Sequence, residues 1–264
     1  SVKANAPSST AQDAEYMAAV ERGDMETAQR IVDEAAKAAG YNVGPVWHGG
    51  AAGFNVFDWS KMGQQGTSEG KGFYFTNDRD LAKGYADRHG GRLMRVYLRG
   101  GERIDGHKLT FTVSQVKRIL TDVHNRSEAQ EEGSSPLWNY GDIGYEGKSA
   151  VIDKAARDTV KYSKDDVSLL AGLINGGADP ESLYDSVYRV TGKTGIVEQD
   201  AWSRPGHEVH IATSASHVKL ADPITRDDTG RIIPPSERFN PQRDDIRFSV
   251  KANAPSSTAQ DAEY

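Results

Sequence analysis

The sequence predicts an α+β domain, and three observations carry that reading. A stretch rich in Ala, Glu, Met and Gln, from Asp13 to Ala39, sets its apolar residues near helical period. Five short runs, Pro45–His48, Gly72–Thr76, Leu93–Leu98, Gly195–Val197 and Glu208–Thr213, read as strands. These runs lie among helical stretches without the regular strand–helix alternation of a doubly wound sheet.

The elements follow in order. Met17, Val20, Met25, Ala28, Ile31, Val32 and Ala35 form the stripe of a helical hairpin broken at Gly23-Asp24 and ended at Gly40. Asp24 can cap its second helix. The stripe fits packing on the hairpin's own domain, with a docking face for a neighbouring domain as the alternative. Phe54 to Asp58 is a bend after glycines, and Lys61 to Lys71 a polar, Gly-rich mobile loop. Asp78 to Arg88 reads as a helix capped by Asn77 or Asp78. Residues 110–124 and 165–190 read as helical, with Asp179-Pro180-Glu181 opening the last helix. Residues 125–150, rich in Gly, Ser and Glu, read as a long excursion. Arg226 to Gly230 is a turn, and 231–248 a Pro/Arg/Asp tail.

A chain of 264 residues is long enough for one domain with a real core plus appendages. The net charge of −6 and pI near 5.7 argue against a broad phosphate-binding surface, though not against a local basic patch. With no cysteine, disulfides and thiolate metal sites are excluded, which fits a cytoplasmic protein. No apolar run approaches the roughly 18 residues that cross a bilayer. The first residues lack the apolar centre of a signal peptide, so a soluble protein without membrane partners is expected. Residues 1–16, SVKANAPSSTAQDAEY, recur letter for letter as residues 249–264. The stretch is a linker by composition. It was either retained on each side of a domain cut from a tandem array or polyprotein, or added as matched ends. Neither copy is expected to carry chemistry.

Four motifs stand out. Trp47-His48-Gly49-Gly50 comes first, then Gly70-Lys71-Gly72-Phe73-Tyr74-Phe75, with Tyr85 eleven residues after Tyr74, and last Gly206-His207-Glu208-Val209-His210-Ile211. On a strand, Phe73 and Phe75 share one face while Tyr74 takes the other. Glu208, His210 and Ala212 likewise oppose Val209 and Ile211. Taken singly, each has a plain structural reading: a buried strand histidine before a glycine turn, two core tyrosines, an edge-strand glutamate. The histidines of His207-Glu208-Val209-His210 are three apart rather than four, which argues against a zinc-protease helix.

Taken together and in order, these residues resemble the ADP-ribosyltransferase superfamily. The likeness is to the histidine–tyrosine–glutamate branch that holds the poly(ADP-ribose) polymerases and diphtheria toxin. The resemblance implies two packed, mostly antiparallel sheets around an NAD cleft, with NAD as co-substrate and no metal. It implies that Glu208 is the catalytic carboxylate, binding the nicotinamide-ribose 2′-hydroxyl and stabilising the positive charge that develops beside it. Gly49 would pair its bare backbone with the carboxamide, His48 would bond the adenosine ribose, and Tyr74 and Tyr85 would wall the nicotinamide. Gly50, the third residue of that motif, stands where the family commonly has serine or threonine. Ala82 stands where the polymerases carry a carboxamide-binding serine. Glu198 is a weaker candidate for contact with an acceptor. The tail from Ile233 to Pro241, with Asp245 to Ser249, resembles the boundary that follows such domains in polyvalent phage and mobile-element proteins.

The resulting division is a linker (1–12), a helical hairpin (13–42), a transferase domain (43–225) with a variable helical insert (105–190), and a C-terminal tail with the repeated linker (226–264). The expected activity is transfer of ADP-ribose from NAD to a host macromolecule, a protein ahead of a nucleic acid, within a larger polyprotein whose other domains are its neighbours. The alternatives are an NAD glycohydrolase and a degenerate module that binds NAD or ADP-ribose.

Overall fold

The computed structural model describes residues 10–50, 54–61, 70–88, 90–129, 141, 146–239, 242 and 244–248, without the side chains of 10, 127–129 and 202. The second copy of the repeat, residues 62–69 of the glycine-rich loop and most of the 125–150 excursion lie outside these residues.

Helices α1 (Thr10–Glu21) and α2 (Met25–Ala38) form the expected hairpin, and Asp24 caps α2 by accepting from the Thr27 amide at 3.0 Å. The hairpin packs on its own domain, with Ile31, Val32, Tyr41, Tyr97 and Phe239 in one cluster. One boundary moves. Thr10 to Tyr16, inside the first copy of the repeat, are helical rather than linker. Tyr16 is fully buried and donates its hydroxyl proton to the Pro223 carbonyl. An aromatic ring at the end of a Ser/Ala-rich stretch supplies enough apolar area to order it.

Six strands follow: β1 (Val43–Gly50), β2 (Phe73–Thr76), β3 (Arg92–Leu98), β4 (Gly195–Glu198), β5 (Val209–Ala212) and β6 (Val218–Leu220). They form one antiparallel sheet in the order β4-β5-β2-β1-β3-β6. This is a single sheet where the resemblance implies two. The reason lies in β1, which pairs with both β2 and β3 and so joins two three-stranded halves. The join to β2 is narrow, with Trp47 opposite Thr76 as the partner pair, whereas β1 matches β3 from Val43 to Gly50.

Strand alternation assigns the two faces. Phe73, Phe75, Met94, Val96, Leu98, Ala212, Val218 and Leu220 line one core, covered by Phe57 and Ile246. Tyr74, Ile196, Val209 and Ile211 line the other, against helices α4 (Val113–Ala129), α5 (Lys148–Tyr162), α6 (Asp166–Asn175) and α7 (Pro180–Thr191). These four helices occupy the stretch from 105 to 190 read as a helical insert. Asp179 caps α7 through the Ser182 amide at 2.8 Å, and Gly192 ends it in the left-handed conformation at φ 78°. Helix α5 falls partly in the stretch read as an excursion. Its stripe of Val151, Ile152, Ala155, Ala156 and Thr159 is buried nonetheless.

Helix α3 (Arg79–Arg88) is capped by Asp78, whose carboxylate accepts from the Asp80 and Leu81 amides at 3.0 Å each. The C-terminal stretch read as a tail is packed into the fold, with Ile233, Arg238 and Ile246 all buried. Its proline-rich composition hid that role, because it forms no long regular element. Among the described residues, no helix is long and apolar enough to cross a membrane.

Candidate active site

The seam between β1 and β2 is crossed by a side chain. His48 Nδ1 lies 2.7 Å from the Tyr74 carbonyl oxygen, so the imidazole ties the end of one half-sheet to the middle of the other. Its ring is set among Phe54, Phe57 and Phe75 at centroid distances of 6.1, 5.1 and 5.5 Å. This apolar surround pushes the His48 pKa below the usual histidine range, while the Tyr74 carbonyl pulls it back. A neutral ring that donates from Nδ1 keeps Nε2 as an acceptor.

That ring also accounts for Gly50. A Cβ there would stand 2.5 Å from His48 Nε2, so the serine or threonine common in the family does not fit beside this imidazole. Gly49 is constrained from the other side. Its missing Cβ would meet the Ala82 carbonyl oxygen at 1.8 Å, so α3 rests on the strand backbone. Ala82 and Ala86 form that contact and are both buried.

The two tyrosines lie on the α3 side of the sheet. Tyr74, opposite Ile211, leans toward the helical core and gives its hydroxyl proton to the Gly70 carbonyl. Tyr85 projects from α3 and is 38% exposed, with the Arg88 guanidinium 4.8 Å from its ring centroid.

Glu208 sits one register step beyond the pair of Thr76 and Val209. Asn77 holds it there, accepting from the Glu208 amide at 3.0 Å and donating its own amide to the Glu208 carbonyl at 3.3 Å. The side chain is one-third exposed (33%) rather than free in solvent. Gln199 Nε2 donates to Oε1 at 3.0 Å, and His210 Nε2 lies 3.0 Å from Oε2.

Pairing of His210 with Phe75, and of His48 with Met94, places His48, His210 and Glu208 on one face of the sheet. The structure therefore brings the imidazole and the carboxylate together on one face and the two tyrosines together on the other. Gly49 turns to the tyrosine face, where α3 covers it. Glu198, paired with Val209, is on the tyrosine side, and Gln199 rather than Glu198 meets the carboxylate. His207 and His210 diverge, His207 toward Asp78 at 4.0 Å and His210 toward Glu208.

Sequence reasoning passed over Asn77, Gln199 and His210 as partners of Glu208. For His210 the signal was present, since residues two apart on a strand share a face. For Asn77 and Gln199 only the cross-strand register reveals it.

Residues 42–160 match the family described as ADP-Ribosyltransferase in polyvalent proteins. Over that segment the chain resembles the ADP-ribosyltransferase superfamily and, within it, the transferase domains of polyvalent proteins. The matched segment holds His48, Gly49, Gly50, Tyr74 and Tyr85 and ends before Glu208. No curated protein and no solved structure matches the chain.

Proposed function

We propose that the chain is an NAD-dependent ADP-ribosyltransferase that moves ADP-ribose onto a host macromolecule and releases nicotinamide. A protein is the favoured acceptor over a nucleic acid, given the net charge of −6. The transferase acts in the host cytoplasm as part of a larger polyprotein. The observation that carries this reading is the Glu208 carboxylate, held through both oxygens at 3.0 Å on the sheet face that also bears His48.

The chemistry suits that arrangement. Nicotinamide in NAD is already cationic, so it departs as a neutral molecule and takes the electron pair of the C1′–N1 bond. Positive charge then builds on C1′ and the ring oxygen of the ribose. An ionised carboxylate bonded to the neighbouring 2′-hydroxyl stabilises that charge, and fixed donors keep it aimed before the bond breaks. The acceptor's lone pair closes the new bond to C1′, and its proton leaves to the carboxylate or to water. By resemblance, Tyr85 stacks on the nicotinamide, Tyr74 walls the ring, the Gly49 backbone bonds its carboxamide and His48 Nε2 accepts from the adenosine ribose. Because the tyrosines and Glu208 lie on opposite faces of the sheet, this assignment requires NAD to reach around the sheet from one face to the other, and the tyrosine roles rest on the resemblance alone.

The test is incubation with labelled NAD and a bacterial lysate. The expected result is nicotinamide release and label on a macromolecule, with Glu208→Gln slowing turnover by about 10²–10³ while NAD still binds. Nicotinamide release without transferred label assigns a glycohydrolase instead. Binding of NAD without any release assigns the degenerate module, for which Gly50 and Ala82 speak.

A further inference from the structure

His210 touches the Glu208 carboxylate, and the family resemblance offers it no role. It is 94% buried, being 6% exposed, and it faces Phe75 across one strand pair and Val197 across the other. Those apolar neighbours leave its ring one polar outlet, along its own strand to the carboxylate two residues earlier. Nε2 meets Glu208 Oε2 there at 3.0 Å.

The other ring nitrogen fixes the tautomer. Nδ1 is buried and makes no hydrogen bond among the described residues. A proton on Nδ1 would be a buried donor without an acceptor, whereas an unprotonated Nδ1 leaves only an acceptor unused. The single proton of a neutral ring therefore belongs on Nε2, pointing at Glu208. Burial lowers the His210 pKa, with Glu208 opposing that and the Arg103 guanidinium adding to it, in agreement with a neutral ring.

We propose that His210 is a positioning residue for Glu208, its Nε2–H holding Oε2 while Gln199 holds Oε1, so that the carboxylate is oriented before substrate arrives. The proposal rests on the reading of Glu208 as the catalytic carboxylate. A glutamate side chain has three rotatable bonds, and a donor on each oxygen removes most of that freedom in advance. The exposed third of the side chain leaves lone pairs for an incoming hydroxyl. A neutral donor of this kind supplies a hydrogen bond without giving up its proton.

Two measurements test this on the full chain. Nitrogen-15 NMR of the histidines should show His210 protonated at Nε2 and bare at Nδ1, with its signals moved by Glu208→Gln. Kinetics should show His210→Phe losing up to about 100-fold in kcat, as small misplacements of a reacting group do, with KM for NAD within twofold of wild type. His210→Gln, which keeps a side-chain donor, should recover part of that loss. A proton on Nδ1, or a folded His210→Phe with wild-type kcat, overturns the proposal. If wild-type protein releases no nicotinamide, the functional reading fails, and the NMR result alone decides whether His210 orients Glu208. If His210→Phe does not fold, the NMR result and His210→Gln decide it.

Discussion

A Cβ on Gly49 would stand 1.8 Å from the Ala82 carbonyl oxygen, so α3 is seated on the bare backbone of β1 with no room between them. The contact sets the height of Tyr85 above the strand, because Tyr85 lies between Ala82 and Ala86, the two residues that make it. The glycine to which the proposed function gives the carboxamide is thus also required for close packing.

Gly49→Ala should therefore act on fold and site together. Overpacking at a fixed helix–strand contact costs about 1–3 kcal/mol, and the backbone of α3 cannot yield as a flexible side chain can. The expected outcome is a lower urea midpoint and a raised KM for NAD. A variant of wild-type stability would mean that α3 is not seated as described.

Removing the aromatic wall should affect binding more than turnover. Tyr85→Ala loses a stacking contact worth about 0.5–1.5 kcal/mol beyond buried area, which is roughly 2- to 12-fold in affinity. Titration calorimetry with NAD and steady-state kinetics should show KM rising by that amount and kcat changing less. Since Arg88 covers one face of the ring, Arg88→Ala should leave the other face and the affinity close to wild type.

The helical insert is fastened by a buried carboxylate. Asp166, at the start of α6, is 0% exposed and accepts from the Thr110 amide and hydroxyl at 2.6 Å each, from the Phe111 amide at 3.1 Å and from the Asp105 amide at 3.2 Å. Lys193, also buried, stands 3.4 Å away. Asp166→Ala strands these donors and leaves the ammonium only the Arg103 carbonyl at 2.6 Å and Glu102 at 3.3 Å, and breaking such a buried pair from one side costs about 3–5 kcal/mol. The loss should appear in urea unfolding as a midpoint shift, and unchanged stability would count against the network.

Stability should fall on mild acidification through His217. Burial, with Arg99 and Arg103 nearby, pushes its pKa down to about 4 from an unfolded value of 6.5. The unfolded chain thus takes up the proton first, so this contribution is complete above pH 6.5 and is lost as pH falls toward 4. The size is on the order of 3 kcal/mol at most, and the downward shifts of His48 and His210 add in the same direction. Asp227, held down at about 2, belongs to a later and separate loss below its unfolded value of 3.8. Urea midpoints between pH 7 and pH 4 should slope for wild type and flatten for His217→Asn.

Five of the six strands and the hairpin were legible in the sequence because each depends on local period and capping, whereas the three-residue β6 is too short to show a period. Asp24, Asp78 and Asp179 cap the helices they precede, and Phe73 and Phe75 enter one core while Tyr74 takes the other. What could not be read depends on contacts distant in sequence. Tyr16 reaches Pro223, and Arg238, fully enclosed, donates to the Leu220 and Asp222 carbonyls at 3.0 and 2.8 Å. Neither leaves a periodic trace. The split of the candidate residues between two faces was hidden for a similar reason. Alternation within β2 and within β5 was clear, but only their register says which face of one continues into which face of the other.

Few backbone bonds cross from β1 to β2, where Trp47 faces Thr76 and one imidazole bond is added. The union of the two half-sheets therefore falls to side chains: Val46 and Met94 from one half interlock with Phe73 and Phe75 from the other. Truncating one of these apolar groups should loosen the whole sheet, whereas a lost rung inside either ladder would be felt only locally.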